Sequence, residues 1–167
     1  RTQWYQQNLK REQQKSTAPT YLDFLNQLDL FIEFSPMTPT QVDRVSQLTQ
    51  RTNQFNSTTR RRDEQTIQQL AQQSEFHIEC VTVKDRFGNY GLVGVMIFRF
   101  TSEKAVIDSF LVSCRLLGRG VEHTMAAKAG DIALEKGLDL VEIHYRTSAR
   151  NKPVLTFLEK ISNHFFK

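Results

Sequence analysis

The chain has 167 residues, 39% apolar and 24% charged, and its net charge of +4 is spread evenly, with nine basic and seven acidic side chains in residues 1–74 and thirteen and eleven in residues 75–167. That is the composition of a soluble globular domain with a substantial core; it lacks the dense basic stripe of a nucleic-acid binder and any apolar run long enough to span a bilayer. Two cysteines, Cys80 and Cys114, make no disulfide framework and fit a reducing, cytoplasmic setting, while the mildly basic surface suits an acidic protein partner or a phosphorylated ligand.

A chain that begins Arg1-Thr2 rather than with Met reads as a piece of a longer polypeptide. Residues 2–15 are polar apart from Trp4, Tyr5 and Leu9, and residues 1–18 are expected to form a linker helix from an upstream domain. Residues 19–167 then form the domain proper. After the break at Ser16–Pro19 a short helix should turn Leu22, Leu25 and Leu28 inward, and Leu30–Phe34 reads as a strand. Thr38-Pro39-Thr40-Gln41 is a helix start, with Thr38 as N-cap and Gln41 closing a capping box. Val42, Val45, Leu48 and Thr52 give that helix its buried stripe. A further helix is predicted from Asp63, burying Ile67, Leu70 and Ala71.

Every glutamine lies at or before Gln73 and all seven glycines at or after Gly88, so a helical front half gives way to strands and turns. Phe76–Val83 alternates as a strand, residues 85–89 form a turn, Tyr90–Phe100 is a long apolar strand, and Ala105–Cys114 follows after another turn. In this last strand, alternation sets Asp108, Phe110, Val112 and Cys114 on one face and Ile107, Ser109, Leu111 and Ser113 on the other. Residues 115–120 read Arg-x-x-Gly-x-Gly and lead into a helix with Val121, Met125, Ala129 and Ile132 at helical spacing. A strand from Leu138 to Arg146 and a helix from Asn151 complete the chain. The strands flanking the central helix should be parallel, because a crossover separates them.

A strand feeding a helix through a glycine turn leaves free N–H groups at a positive helix end, a ready anion site. Arg115, Leu116, Leu117, Gly118, Arg119 and Gly120, in this setting, resemble the signature of the GNAT (N-acetyltransferase) superfamily. The resemblance implies an α/β fold with a mixed central sheet flanked by helices. It also implies that the turn holds the pyrophosphate of an acyl-CoA, with the pantetheine arm along the preceding strand.

Three separated stretches, Thr52–Arg61, Val83–Val93 and Ser113–Glu122, are similar to the C-terminal half of the FkbH-like glyceryl transferase/phosphatases of polyketide assembly lines. That resemblance implies transfer of a three-carbon glyceryl unit, through an enzyme thioester, to the phosphopantetheine of an acyl carrier protein. It implies an upstream haloacid-dehalogenase-like phosphatase domain, whose Asp-x-Asp motif this sequence lacks. The alternatives are a catalytically silent carrier-protein docking module of the same fold, or a CoA-dependent N-acetyltransferase. The last conflicts with Leu158, which aligns with the tyrosine acid of many such enzymes.

Cys114 is the candidate nucleophile, with Arg115 and the helix start favouring its thiolate; the competing reading is a buried structural cysteine. His123 and His144 are candidate bases, His144 sharing a strand face with Glu142. Asn53, Gln54, Asn56 and Asn151 could contact a glyceryl hydroxyl or the arm's amides, or simply serve as loop and cap residues. Arg60, Arg61 and Arg62 could dock an acidic carrier protein or form a solvated face. His77 and Cys80 point to opposite sides of a strand, so no metal site is expected.

Overall fold

The computed structural model describes residues 2–162; Arg1 and residues 163–167, the outer ends of the two expected segments, lie outside the described residues. Helices α1 (Thr2–Thr17) and α2 (Tyr21–Leu28) precede strand β1 (Phe31–Pro36), and α3 (Val42–Arg51) and α4 (Glu64–Ala71) follow it. Strands β2 (Phe76–Asp85), β3 (Gly88–Phe100) and β4 (Ala105–Val112) lead to α5 (Val121–Glu135), β5 (Val141–Ile143) and α6 (Lys152–Ile161). The sheet runs in sequence order, β1 to β4 antiparallel and β5 parallel to β4.

The start of α3 follows the predicted chemistry, Gln41 Oε1 accepting from the Thr38 N–H at 2.9 Å, although residues 39–41 form a 3-10 turn. Val42, Val45 and Leu48 pack with Ile67 of α4 on Ile78, Cys80, Val95, Ile97 and Leu111. The other face of the sheet, through Val81, Met96, Phe98 and Phe110, meets Val121, Met125 and Ala129 of α5 and Val154, Phe157 and Leu158 of α6.

Three expectations change. In α2 the inward face is Phe24 and Leu28, while Leu22 is exposed, because the helix starts at Tyr21 behind the Thr20 cap. Ala71, the last residue of α4, is exposed. In β4 a bulge intervenes, since Ile97 pairs with Ser109 but Phe98 with Ile107. The extra residue, Asp108, resets the alternation. Ile107 therefore joins Phe110 and Val112 in the α5-side core, and Cys114 falls beyond the strand in a 3-10 turn.

α1 is anchored by charge. Its apolar residues Trp4, Tyr5 and Leu9 are exposed, whereas Arg11 is 2% exposed and grips Asp85 with two hydrogen bonds of 2.7 and 2.9 Å. Asp85 also accepts from the Tyr90 hydroxyl at 2.8 Å and from the Phe87 and Gly88 N–H groups at 2.9 Å each. Burial opposes ionisation of Asp85, but the bonds from Arg11, Tyr90 and Phe87 outweigh it and hold the carboxyl below the usual aspartate value. Burial and the bond to Asp85 push the Tyr90 phenol up to about 12.

Removing one partner of a buried pair strands the other, at a cost of ~3 kcal/mol or more. Asp85→Asn is therefore expected to lower Tm by about 6–12 °C in a domain of this size. Because the native pKa of Asp85 is depressed, its contribution is full above the ordinary aspartate range and fades as pH falls through and below it. Thermal melts at neutral and acid pH check this: wild type and variant should converge at low pH, and a constant gap would refute the assignment.

Candidate active site

β4 leaves the sheet at Val112 and passes through the 3-10 turn Cys114–Leu116 to Gly118 and Gly120, with φ of 73° and 82°. Both glycines lie in the left-handed region, which costs other residues ~1–2 kcal/mol. A Cβ at Gly120 would meet nothing within 4 Å, so backbone conformation rather than crowding requires glycine there. The turn is held from outside: the Tyr21 hydroxyl donates to the Gly118 carbonyl at 3.1 Å, and Arg119 donates to the Tyr90 hydroxyl. Leu116 is fully buried as an anchor, and Arg115 reaches back to Ser113 Oγ at 3.5 Å. The N–H groups of residues 121–123 open α5 without intrahelical partners, as at every helix start. Beside them sits Glu122, 7% exposed, whose buried Oε2 has no hydrogen-bond partner.

The loop 52–62 does more than line the site. Its residues 55–58 lie along β4 beyond the bulge, where β5 no longer pairs. The Val112 N–H donates to the Phe55 carbonyl at 3.0 Å, and the Ser57 N–H to the Phe110 carbonyl at 3.0 Å. The Phe110 N–H reaches Ser57 Oγ at 3.0 Å, and Thr58 Oγ1 donates to the Asp108 carbonyl at 3.0 Å. On its other side the Ser57 carbonyl accepts from the Arg146 N–H at 2.8 Å. The strand expected at 138–146 is thus only Val141–Ile143, because 55–58 takes the place its later residues would fill. The β4 edge along which the family resemblance lays a pantetheine arm is closed in this structure by the chain itself.

Most of the loop's polar residues hold the loop. Asn56 is fully buried, Nδ2 donating to the Thr52 carbonyl at 3.2 Å and Oδ1 accepting from the Thr59 N–H at 2.9 Å. Asn151, also fully buried, ties Asn56 O (3.1 Å) to Arg146 O (2.8 Å) through Nδ2 and accepts from the Ser148 N–H at 2.8 Å. The amides of Asn56 and Asn151 are therefore committed within the protein. Asn53, half-buried, accepts from Arg61 Nη2 at 2.8 Å through Oδ1 and donates to the Arg51 carbonyl at 3.5 Å, while Gln54 is exposed. Of the three arginines, Arg62 is buried against Asp108 and Ser109, its charge disfavoured by burial more than Asp108 restores it. Arg60 also pairs with Asp108. Only Arg61 lacks an acidic partner among the described residues, so the arginine run is not one docking face.

Cys114 is exposed, and no hydrogen bond joins it to a base among the described residues. The His144 N–H bonds to the Ile107 carbonyl at 2.9 Å. Cys114 lies seven positions further along the chain, more than ~15 Å away at strand rise. His144 instead pairs with Glu142 at 3.0 Å, and Glu142, which also bonds Lys104, has its carboxyl held below the usual value by those contacts, Lys104 first. The expected Cys–His–Glu arrangement is not assembled. His123 is exposed, its ring edge-on to Phe157 with centroids 5.0 Å apart, and Phe157 also touches Phe55 and Phe110. Tyr21 and Tyr90, which brace the glycine turn, were invisible to sequence reading: their contacts span 97 and 29 residues. No group of three or more His, Cys, Asp or Glu side chains that could hold a metal occurs among the described residues, and no helix among them is long and apolar enough to cross a membrane.

No family model matches the chain, and no curated protein matches it by sequence. Solved structures do match its fold. The ribosomal-protein-S18-alanine N-acetyltransferase from Escherichia coli aligns with a TM-score of 0.60 at 14% identity, covering 78% of this chain and 76% of that one. A ribosomal-protein-alanine N-acetyltransferase from Brucella melitensis biovar Abortus 2308 gives 0.61 at 14%, covering 81% and 94%. An aminoglycoside N-acetyltransferase solved in complex with CoA gives 0.58 at 11%, covering 83% and 91%. The chain therefore has the GNAT-like fold.

The two cysteines should differ sharply in reactivity. Cys80 is fully buried, and desolvation, with Glu79 adjacent, pushes its thiol up to about 12. A thiol reagent is expected to label Cys114 in the native protein and Cys80 only after unfolding, as peptide mass spectrometry would show. Equal native labelling would contradict the burial of Cys80.

Proposed function

We propose that this chain is an acyltransferase domain that takes an acyl group from a pantetheine thioester at the turn formed by residues 113–122. The observation that carries the reading is that turn: on a GNAT-like fold, two left-handed glycines deliver the strand end into an open helix N-terminus, with an exposed cysteine at its entrance. The positive helix end would receive phosphate or pyrophosphate. Coenzyme A as the donor is supported by the CoA-bound neighbour. A glyceryl unit passed to a carrier protein is the finer form of the reading and rests on the three sequence motifs alone. In that form the Cys114 thiolate attacks the thioester carbonyl, the arm's sulfur leaves as thiolate, and a second exchange passes the acyl group on. In the form suggested by the neighbours' names, an amine attacks the thioester directly. Leu158, buried at 3% in the core, supplies no acid to that reaction.

The closed β4 edge and the buried Glu122 carboxylate beside the helix start favour a second reading, a silent module that docks a carrier protein through this fold. Acetyl-CoA and an acyl-carrier-protein thioester, each incubated with the chain and an amine or thiol acceptor, should release free thiol, and intact-mass analysis should show whether the acyl group sits on the protein. If Cys114→Ala abolishes both adduct and release, transfer is covalent; if release continues without adduct, transfer is direct. No consumption of either thioester by the wild type would discard the acyltransferase reading in favour of docking.

A further inference from the structure

The loop that closes β4 and the loop that precedes α6 face each other across an open cavity of about 270 Å³, lined by Asn53, Thr59, Arg61, Ser148 and Arg150. No carboxylate lines it, and among the described residues neither Arg61 nor Arg150 lies within ion-pair distance of one. That alone would describe solvated arginines. The construction of the walls goes further.

The Arg61 guanidinium is steered by Asn53, whose Oδ1 accepts from Nη2 at 2.8 Å, leaving the rest of its fork to donate. Ser148 Oγ already accepts from the N–H groups of Arg150, at 3.4 Å, and Asn151, at 3.2 Å, so its own proton is left for a ligand. Thr59 is fixed at φ 52°, an uncommon conformation for a β-branched residue, by the bond from its N–H to Asn56 Oδ1. The two walls cannot drift apart easily, because fully buried Asn151 bonds to the Asn56 carbonyl across them. Immediately after Arg150, the ten-residue α6 begins with no acidic side chain in its first turn, which adds the positive end of a helix. Charge and hydrogen-bonding capacity thus converge on one sign: two cations and two hydroxyls, with the Asn53 carbonyl oxygen and the Ser148 Oγ lone pairs already engaged.

We propose that this cavity binds a small oxyanion, a phosphate or carboxylate group, held by Arg61 and Arg150 and by the hydroxyls of Ser148 and Thr59. The site is separate from the glycine turn, and its chemistry does not depend on the acyl-transfer reading. Its size admits a phosphate or a small carboxylic acid.

The test is an NMR titration of the full chain with inorganic phosphate, glycerol phosphate, acetate and uncharged glycerol, followed at the amides of residues 59, 61, 148 and 150. Saturable shifts are expected there with phosphate or acetate and none with glycerol; the tighter of the two anions identifies the group. Arg61→Gln or Arg150→Gln should weaken binding about tenfold, while Lys10→Gln, an exposed cation on α1, should leave it unchanged. Both arginines are exposed, so the variants should keep the wild-type melting curve, which is measured alongside. Shifts confined to residues 118–123, equal weakening by Lys10→Gln, or no saturable shift would each overturn the proposal.

Discussion

The structure turns on the free edge of β4. Buried backbone N–H and C=O groups must find partners, and β4 is buried along its whole length. β3 pairs with one edge on both sides of the bulge, but β5 covers the other only as far as Ile107. The bulge at Asp108 then bends the strand away, and the groups of residues 108–112 would be orphaned without a second partner. Residues 55–58 are that partner, adding backbone and hydroxyl bonds in antiparallel register. The shortness of β5 and the fixing of loop 52–62 to the sheet follow from this one requirement.

Charge reinforces the same arrangement. Asp108, the bulged residue, holds Arg60 and Arg62, so the chain that enters along β4 is tied at its exit as well. Arg62 is further fixed through its backbone, the carbonyl accepting from Ser46 Oγ at 2.8 Å and Thr49 Oγ1 at 3.1 Å. At the opposite margin of the sheet Asp85 does similar work for α1 through Arg11, and through Tyr90 it reaches Arg119 in the glycine turn. The N-terminal helix and the turn therefore share one buried polar network, in which each member limits the freedom of the next.

These facts set the terms on which a thioester can be handled. The glycine turn and the start of α5 present donors to an anion, while the strand edge leading to them is occupied by the protein's own backbone. On the proposed acyltransferase reading, a pantetheine arm would meet the domain at residues 113–122 or exchange its amides for the bonds that residues 55–58 now make. The exposed Cys114 lies at the turn, two residues past the last bond that closes the edge. Neither candidate histidine, His123 against Phe157 or His144 with Glu142, is hydrogen-bonded to Cys114 among the described residues.

Sequence alone determined the elements whose cause is local. The Thr38–Gln41 helix start, the Asp63 cap, the alternating strands, the parallel crossover around α5 and the glycine turn at 118 and 120 all follow from neighbours a few residues apart, and the family resemblance of that turn supplied the fold class. Only the tertiary structure decided which polar residues serve the site and which serve the fold. Asn56 and Asn151 look like ligand donors in the sequence, yet the Asn151 amide bonds the Asn56 carbonyl 95 residues away and the Asn56 amide bonds Thr52 and Thr59 within its own loop. Three consecutive arginines look alike, and burial against Asp108 separates Arg62 from Arg61. The bulge at Asp108 breaks the alternation because a strand's period holds only while its pairing partner keeps register, and that partner is chosen by packing, out of sight of the local sequence.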